Sequence, residues 1–68
     1  MKYTLEGQDG NAIAIISYVG RAMNECGRTV EEKAKYADDA TSGDYEHLLS
    51  VSQDMLDELN AEQEGGES

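Results

Sequence analysis

Apolar residues recur at three- and four-residue steps in a first long segment, which is the period of an amphipathic helix. The apolar stripe of this segment consists of Ala12, Ile15, Ile16, Val19, Ala22, Met23 and Cys26. Asn11 precedes the stripe as a favourable N-cap, and Gly27 follows it where a left-handed C′ residue is common. The pattern therefore predicts a first helix over about Asn11 to Cys26.

A second stripe of the same period begins after Asp44, whose side chain is suited to cap a helix. It consists of Tyr45, Leu48, Leu49, Ser52, Met55, Leu56 and Leu59. Between the two stripes, Thr29 and Glu32 have the spacing of a capping box. A weaker apolar seam follows this box, with Tyr36 beside it: Val30, Ala34, Ala37 and Ala40 or Thr41. The pattern thus predicts three helices, the middle one ending near Ser42.

The N-terminal segment alternates polar and apolar residues from Lys2 to Glu6, which predicts a short β-strand. One strand cannot form a sheet alone, so it would pair with a later segment, a second copy of the chain or a partner. Ile13 lies off the first stripe, and we expect this strand or an oligomer contact to cover it. The predicted fold is mainly α, a small three-helix domain over residues 1–60 with a short N-terminal strand.

Length and charge narrow the range of functions. The chain has 68 residues and a net charge of −10. A chain of this length forms one domain with a small core, and such domains are often stabilised by forming a homo-oligomer, which is a possible state here. Residues 44–68 contain eight acidic residues and no Lys or Arg, and we expect residues 61–68 to be a disordered acidic tail. Negative charge disfavours direct contact with nucleic acids and with anionic membranes. A basic protein surface is the expected partner.

Candidate catalytic and metal-binding residues are sparse. His47 is the only histidine and is interpreted as a surface residue, because no second His and no Cys motif accompanies it. Asp38, Asp39 and Asp44 lack the spacing of a calcium loop. Cys26 cannot form an intramolecular disulfide and is expected to be buried and structural. We therefore predict no catalytic residue, metal or cofactor, and a protein that is not an enzyme.

The third helix carries acidic residues opposite its apolar stripe. Carboxylates at one-turn steps on a rigid helix are suited to bind the Arg and Lys side chains of a nucleic-acid-binding groove. Surface solubility alone also accounts for such a face. The predicted partner-binding residues are Glu46, Asp54, Asp57 and Glu58.

The alternative hypothesis is a nucleotide-sequestering oligomer. The turn Gly7–Asn11 leads into a helix, and backbone amides at a helix N-terminus attract anions. Lys2, Arg21 and Arg28 are the basic residues that such a site would use. No phosphate-binding fingerprint accompanies the turn.

Two motifs resemble a group of small uncharacterised proteins of bacteriophages and prophages. The motifs are LEGQDGNA at residues 5–12 and TSGDYEHLL at residues 41–49, and the resemblance covers about residues 2–50. Members run toward a hydrophobic, strand-like C-terminal end, whereas residues 55–60 here have a helical pattern. The resemblance implies a phage-encoded protein that acts inside a bacterium, and it carries no known activity. Because small acidic phage proteins are often inhibitors, we expect a cytoplasmic protein that binds and inhibits a host protein, for example a defence nuclease. An accessory protein without inhibitory function stays the third interpretation.

Overall fold

A computed structural model describes the backbone of residues 3–65 and the side chains of residues 3–63. Three helices make up most of this part of the chain: α1 (Ala12–Glu25), α2 (Val30–Ala40) and α3 (Tyr45–Gly65). The mainly helical class and the three helices predicted from the sequence are confirmed.

The helices form an up-down-up bundle in which α1 and α3 run in the same direction. Ala12 and Ile16 at the start of α1 lie with Tyr45 and Leu48 at the start of α3. The opposite ends of these two helices are joined through Tyr3, which contacts both of them. α2 runs the other way. The bundle therefore has two ends, one holding the N-termini of α1 and α3 and the other holding their C-termini.

The helix caps follow the local sequence. The Asn11 side chain accepts a hydrogen bond from the Ile13 N–H at 2.8 Å, and Asp44 accepts one from the His47 N–H at 2.9 Å. Thr29 and Glu32 form the complete capping box. Gly27 has a φ of +82°, and its position after α1 lets the Arg28 N–H bond to the Met23 carbonyl at 2.9 Å. The predicted caps are confirmed.

The core lies between α1 and α3 and is closed on one side by α2. Val19 and Met23 of α1 and Leu56 and Leu59 of α3 have no exposed surface. Ser52 is equally buried, and its hydroxyl lies 2.6 Å from the Tyr36 hydroxyl. Because a buried hydroxyl needs a partner, this pair joins α2 to α3 without leaving a polar group unsatisfied.

The prediction of which residues form the apolar seam of α2 is partly wrong. Val30 is 76% exposed and Ala34 is also exposed, whereas Tyr36 and Ala40 are buried. Tyr36 offers far more apolar surface than any alanine of this helix, so its burial decides which face turns inward.

The predicted N-terminal strand is not supported: Tyr3 and Thr4 form no regular secondary structure and pair with no strand in residues 3–65, and a turn follows. Lys2 lies outside the described residues. Instead, Asn60 holds the Tyr3 backbone. Its side-chain oxygen accepts from the Tyr3 N–H and its amide donates to the Tyr3 carbonyl, both at 2.9 Å. A side chain thus supplies the hydrogen bonds that a neighbouring strand would otherwise provide.

The third helix continues past the predicted end of the domain. Residues 61–65, assigned to the acidic tail by the sequence, extend α3 to Gly65. Residues 66–68 lie outside the described part of the chain, so the disorder of the tail stays a prediction.

Candidate functional site

The four acidic residues predicted to bind a partner all lie exposed on α3. Glu46 and Asp57 are three helical turns apart and point in similar directions, and Asp54 is one turn from Asp57. Asp57 accepts a hydrogen bond from Gln53 at 2.8 Å, one turn earlier on the same helix. Within residues 3–63, no Lys or Arg side chain forms an ion pair with Glu46, Asp54 or Asp57. We name these three residues the acidic face.

Glu58 has a different environment from the acidic face, because Arg28 lies beside it. One Arg28 nitrogen is 3.9 Å from the Glu58 carboxylate, and another is 3.4 Å from Glu32. Arg28 also pairs with Glu62. The side chain of Arg28 is only 18% exposed, so its charge is largely shared among three carboxylates of its own chain. Glu58 therefore contributes to the contact between α3 and the start of α2 as well as to the surface.

An apolar groove opens at the end of the bundle that holds the N-termini of α1 and α3. Its volume is about 280 Å³. The groove is lined by Ala12, Ile16, Ala40, Thr41, Gly43, Asp44, Tyr45 and Leu48. Tyr45 forms one wall, and its hydroxyl donates a hydrogen bond to the Gly10 carbonyl. We name this feature the N-terminal groove.

Exposed apolar side chains accompany the groove. Tyr45 is 45% exposed, and Ile13 is 75% exposed. Ile13 precedes the groove residue Ile16 by three positions, which places the two side chains next to each other on α1. Sequence reasoning assigned Tyr45 to the core stripe and expected a cover for Ile13; neither is covered within residues 3–65. The sequence feature that indicated the exposure of Ile13 was its position off the apolar stripe of α1.

His47 braces the turn between α2 and α3. Its Nε2 lies 3.0 Å from the Asp39 carbonyl, 3.3 Å from the Asp39 carboxylate and 3.5 Å from the Ser42 hydroxyl. A Ser-His-Asp relay needs the hydroxyl and the carboxylate on different ring nitrogens. Here both partners approach the same nitrogen, so the arrangement is that of a turn brace. Among the described residues, no group of three or more His, Cys, Asp or Glu side chains is placed to hold a metal ion.

The two described basic residues of the nucleotide hypothesis, Arg21 and Arg28, do not converge. Arg21 lies in a groove with Gln8, Asp9 and Tyr18, whereas Arg28 lies in another groove between α2 and α3. Lys2 is outside the described residues. In the Gly7–Asn11 turn, Asp9 accepts a hydrogen bond from the Asn11 N–H at 3.2 Å. This carboxylate takes a position that an anionic ligand of the turn would need.

Cys26 is half-buried where α1 and α3 end. Its thiol donates to the Tyr3 hydroxyl at 3.8 Å and accepts from the Gln63 amide at 3.5 Å. The Tyr3 hydroxyl in turn donates to Glu25 at 2.9 Å. These contacts make Cys26 part of the polar network around Tyr3.

In residues 3–65, none of the helices has the length and apolar character needed to cross a lipid bilayer. Comparison with known proteins was negative throughout: no protein-family model, no curated protein and no solved structure matches this chain.

Proposed function

We propose that this protein works by binding another protein, and that the acidic face of α3 meets a basic surface of that partner. The observation that carries the proposal is that no basic side chain of the described residues pairs with this face. Glu46, Asp54 and Asp57 stand exposed without an ion pair in residues 3–63, although Arg28 in the same chain is surrounded by three carboxylates. Uncompensated carboxylates raise the local negative potential, which accelerates association with a cationic partner and selects against anionic ones.

The helix also presents these charges rigidly. At a rise of about 1.5 Å per residue, Glu46 and Asp57 lie about 16 Å apart along α3. The buried residues Ser52 and Leu56 anchor the same stretch of helix to the core. Little conformational entropy is therefore lost when the face docks, apart from that of the side chains themselves.

The phage resemblance proposes the kind of partner. In that setting the protein acts inside a bacterium and blocks a host protein whose basic groove normally binds nucleic acid, such as a defence nuclease. A nucleotide-sequestering oligomer has less support, since Arg28 is already paired with carboxylates of its own chain and Asp9 binds an amide of the Gly7–Asn11 turn. An accessory protein without inhibitory function is the remaining proposal, and it predicts no dependence on the acidic face.

Charge reversal on the acidic face tests the proposal. The variant Asp54→Lys/Asp57→Lys is compared with Glu6→Lys/Asp38→Lys, which changes the net charge equally at exposed positions away from the face. Each immobilised protein captures partners from a bacterial lysate, and the captured protein is then purified and its affinity and enzymatic activity are measured. We expect the face variant to lose at least about tenfold in affinity, and the control to retain inhibition.

The dependence of the binding affinity on salt concentration provides a second test in the same experiment. A contact between charged surfaces weakens as ionic strength rises, because the Debye length falls to about 8 Å at physiological salt. Equal capture and equal inhibition by the face variant, the control and the unaltered protein would contradict the proposal. Tight binding of a cyclic or ADP-ribose-type nucleotide in calorimetry would favour the oligomer hypothesis instead.

A further inference from the structure

The N-terminal groove is an apolar depression in which the charged lining residue is Asp44. The lining residues fall in two chain segments, residues 12–16 and 40–48, which contain no Lys or Arg. These segments contain two acidic residues, Asp44 and Glu46, and both are exposed. A side chain that enters the groove therefore passes Asp44 and meets no basic residue of the lining.

From this combination we infer that the N-terminal groove takes an apolar anchor residue from a Lys- and Arg-rich segment of the partner protein. The inference rests on the proposed function and makes it more specific. It adds a short-range apolar contact to the long-range attraction of the acidic face. The groove lies at the N-terminal end of α3, the helix that also carries the acidic face, and Glu46 of that face directly follows the groove residue Tyr45 in the sequence.

The groove has the features of an anchor site. Its volume of about 280 Å³ is close to the lower end of the range of about 300–1,000 Å³ found for ligand pockets. Four of its eight lining residues are aliphatic, with Leu48 at the buried base, and Tyr45 forms an exposed aromatic wall. Binding energy in protein interfaces concentrates on such apolar anchors, while surrounding charges set association rate and specificity.

The charge pattern decides between occupants. A second copy of this chain would bring another net charge of −10 against Asp44 and Glu46, so like charges would face each other. An apolar segment with acidic flanks meets the same repulsion. A cationic segment instead places its Lys and Arg side chains beside Asp44 and Glu46 while its apolar residue leaves water.

A pair of synthetic peptides provides the test. In the first peptide a single leucine is flanked by lysines on both sides, and in the second a serine replaces the leucine. Each is titrated into the isotope-labelled full-length protein at low and at physiological salt while backbone amide signals are followed by NMR. We expect the leucine peptide to bind about tenfold more tightly, because one aliphatic side chain leaves water. Its largest shifts should fall on Ala12, Ile16 and Leu48.

A filled groove provides the matched protein control. Ala12→Gln adds bulk at the exposed mouth of the groove without changing charge, and Ala34→Gln makes the same change at an exposed position of α2 that lines none of the three described grooves. The preference for the leucine peptide should disappear in Ala12→Gln and persist in Ala34→Gln.

The outcomes separate the two proposals. Equal binding of both peptides, with shifts confined to Asp54 and Asp57, would overturn the groove and leave the acidic face in place. Shifts centred on the groove between α2 and α3 would also overturn it. A leucine preference that survives in Ala12→Gln counts against the groove as well. Absence of binding by either peptide at low salt would remove support from the acidic face itself.

Discussion

The two ends of the helix bundle differ in whether the space between α1 and α3 is filled. Where α1 and α3 end, the N-terminal segment fills the space between them: Tyr3 is buried, and Asn60, Glu25 and Cys26 satisfy its polar groups. Where the same helices begin, no segment in residues 3–65 fills the space, and the N-terminal groove stays open with Tyr45 at its edge.

This difference separates buried surface that contributes to stability from apolar surface that stays exposed. The closed end buries an aromatic side chain together with a set of hydrogen bonds that reach across the whole chain, as the contact between residues 3 and 60 does. The open end leaves apolar surface in water, which contributes nothing to folding and is available to a partner. Two tyrosines, one at each end, allow a direct comparison.

Truncating the two tyrosines should have unequal effects on stability. Tyr3→Ala removes a ring that is only 5% exposed, and we expect it to lower the free energy of unfolding by about 3–5 kcal/mol. Tyr45→Ala removes a ring that is 45% exposed and one hydrogen bond, at a cost of about 1 kcal/mol. Urea unfolding followed by circular dichroism measures both. Similar losses for the two variants would show that the ends are not energetically different.

The hydrogen bonds of Asn60 can be tested apart from the burial of Tyr3. Asn60 is 5% exposed and holds the Tyr3 backbone on both sides. We expect Asn60→Ala to cost about 2–3 kcal/mol, because buried peptide groups lose their partners. Asn24→Ala is the matched control, since Asn24 is exposed on α1 and has one long hydrogen bond of 3.4 Å with Lys33. The control should change stability by less than about 0.5 kcal/mol; a loss as large as that of Asn60→Ala would refute the special role of the Tyr3 contact.

The sequence contained enough local information to predict the helix caps at both ends of the bundle, but not the central contact of the closed end. Caps such as Asn11, Asp44 and the Thr29–Glu32 box act within a few residues, so their chemistry can be identified without knowing the fold. The contact between Tyr3 and Asn60 spans 57 positions. The alternation around Tyr3 predicted a strand, which the structure does not support. The group that holds the Tyr3 backbone is a single side-chain amide at the end of an apolar stripe, where a polar residue suggests solvent exposure.

The open end was harder to predict because helical period says which residues share a face, not whether that face is covered. Tyr45 is in register with Leu48 and Leu56, so its pattern is that of a core residue. Its exposure follows from the route of the N-terminal segment, which packs at the other end of the bundle. The acidic face was predicted from the same period and is exposed as expected, whereas the ion pair between Glu58 and Arg28 depends on how α2 enters the bundle.

Stability at alkaline pH provides a test of the buried tyrosine hydroxyls. Burial, followed by the hydrogen bond to Glu25, raises the pKa of the Tyr3 hydroxyl above the ordinary value of 10.0. Burial also raises the pKa of Tyr36, against a smaller opposing effect of the Ser52 hydrogen bond. Below pH 10 each hydroxyl is neutral in both the folded and the unfolded chain. Above it the unfolded chain ionises while the folded chain keeps its protons, so stability that is fully present at lower pH is lost as pH rises.

Removing the Tyr3 hydroxyl should make that loss shallower. One proton bound differently changes the free energy of unfolding by at most about 1.4 kcal/mol per pH unit, and we expect less because solvent screens a hydroxyl near the end of the bundle. Urea unfolding of the unaltered protein and of Tyr3→Phe is measured from about pH 9 to about pH 12. Tyr3→Phe should flatten the decline above pH 10. Identical slopes in the two proteins would mean that the hydroxyl of Tyr3 ionises as readily in the folded chain as in the unfolded one. In that case the contact between Tyr3 and Glu25 contributes nothing to the stability of the closed end.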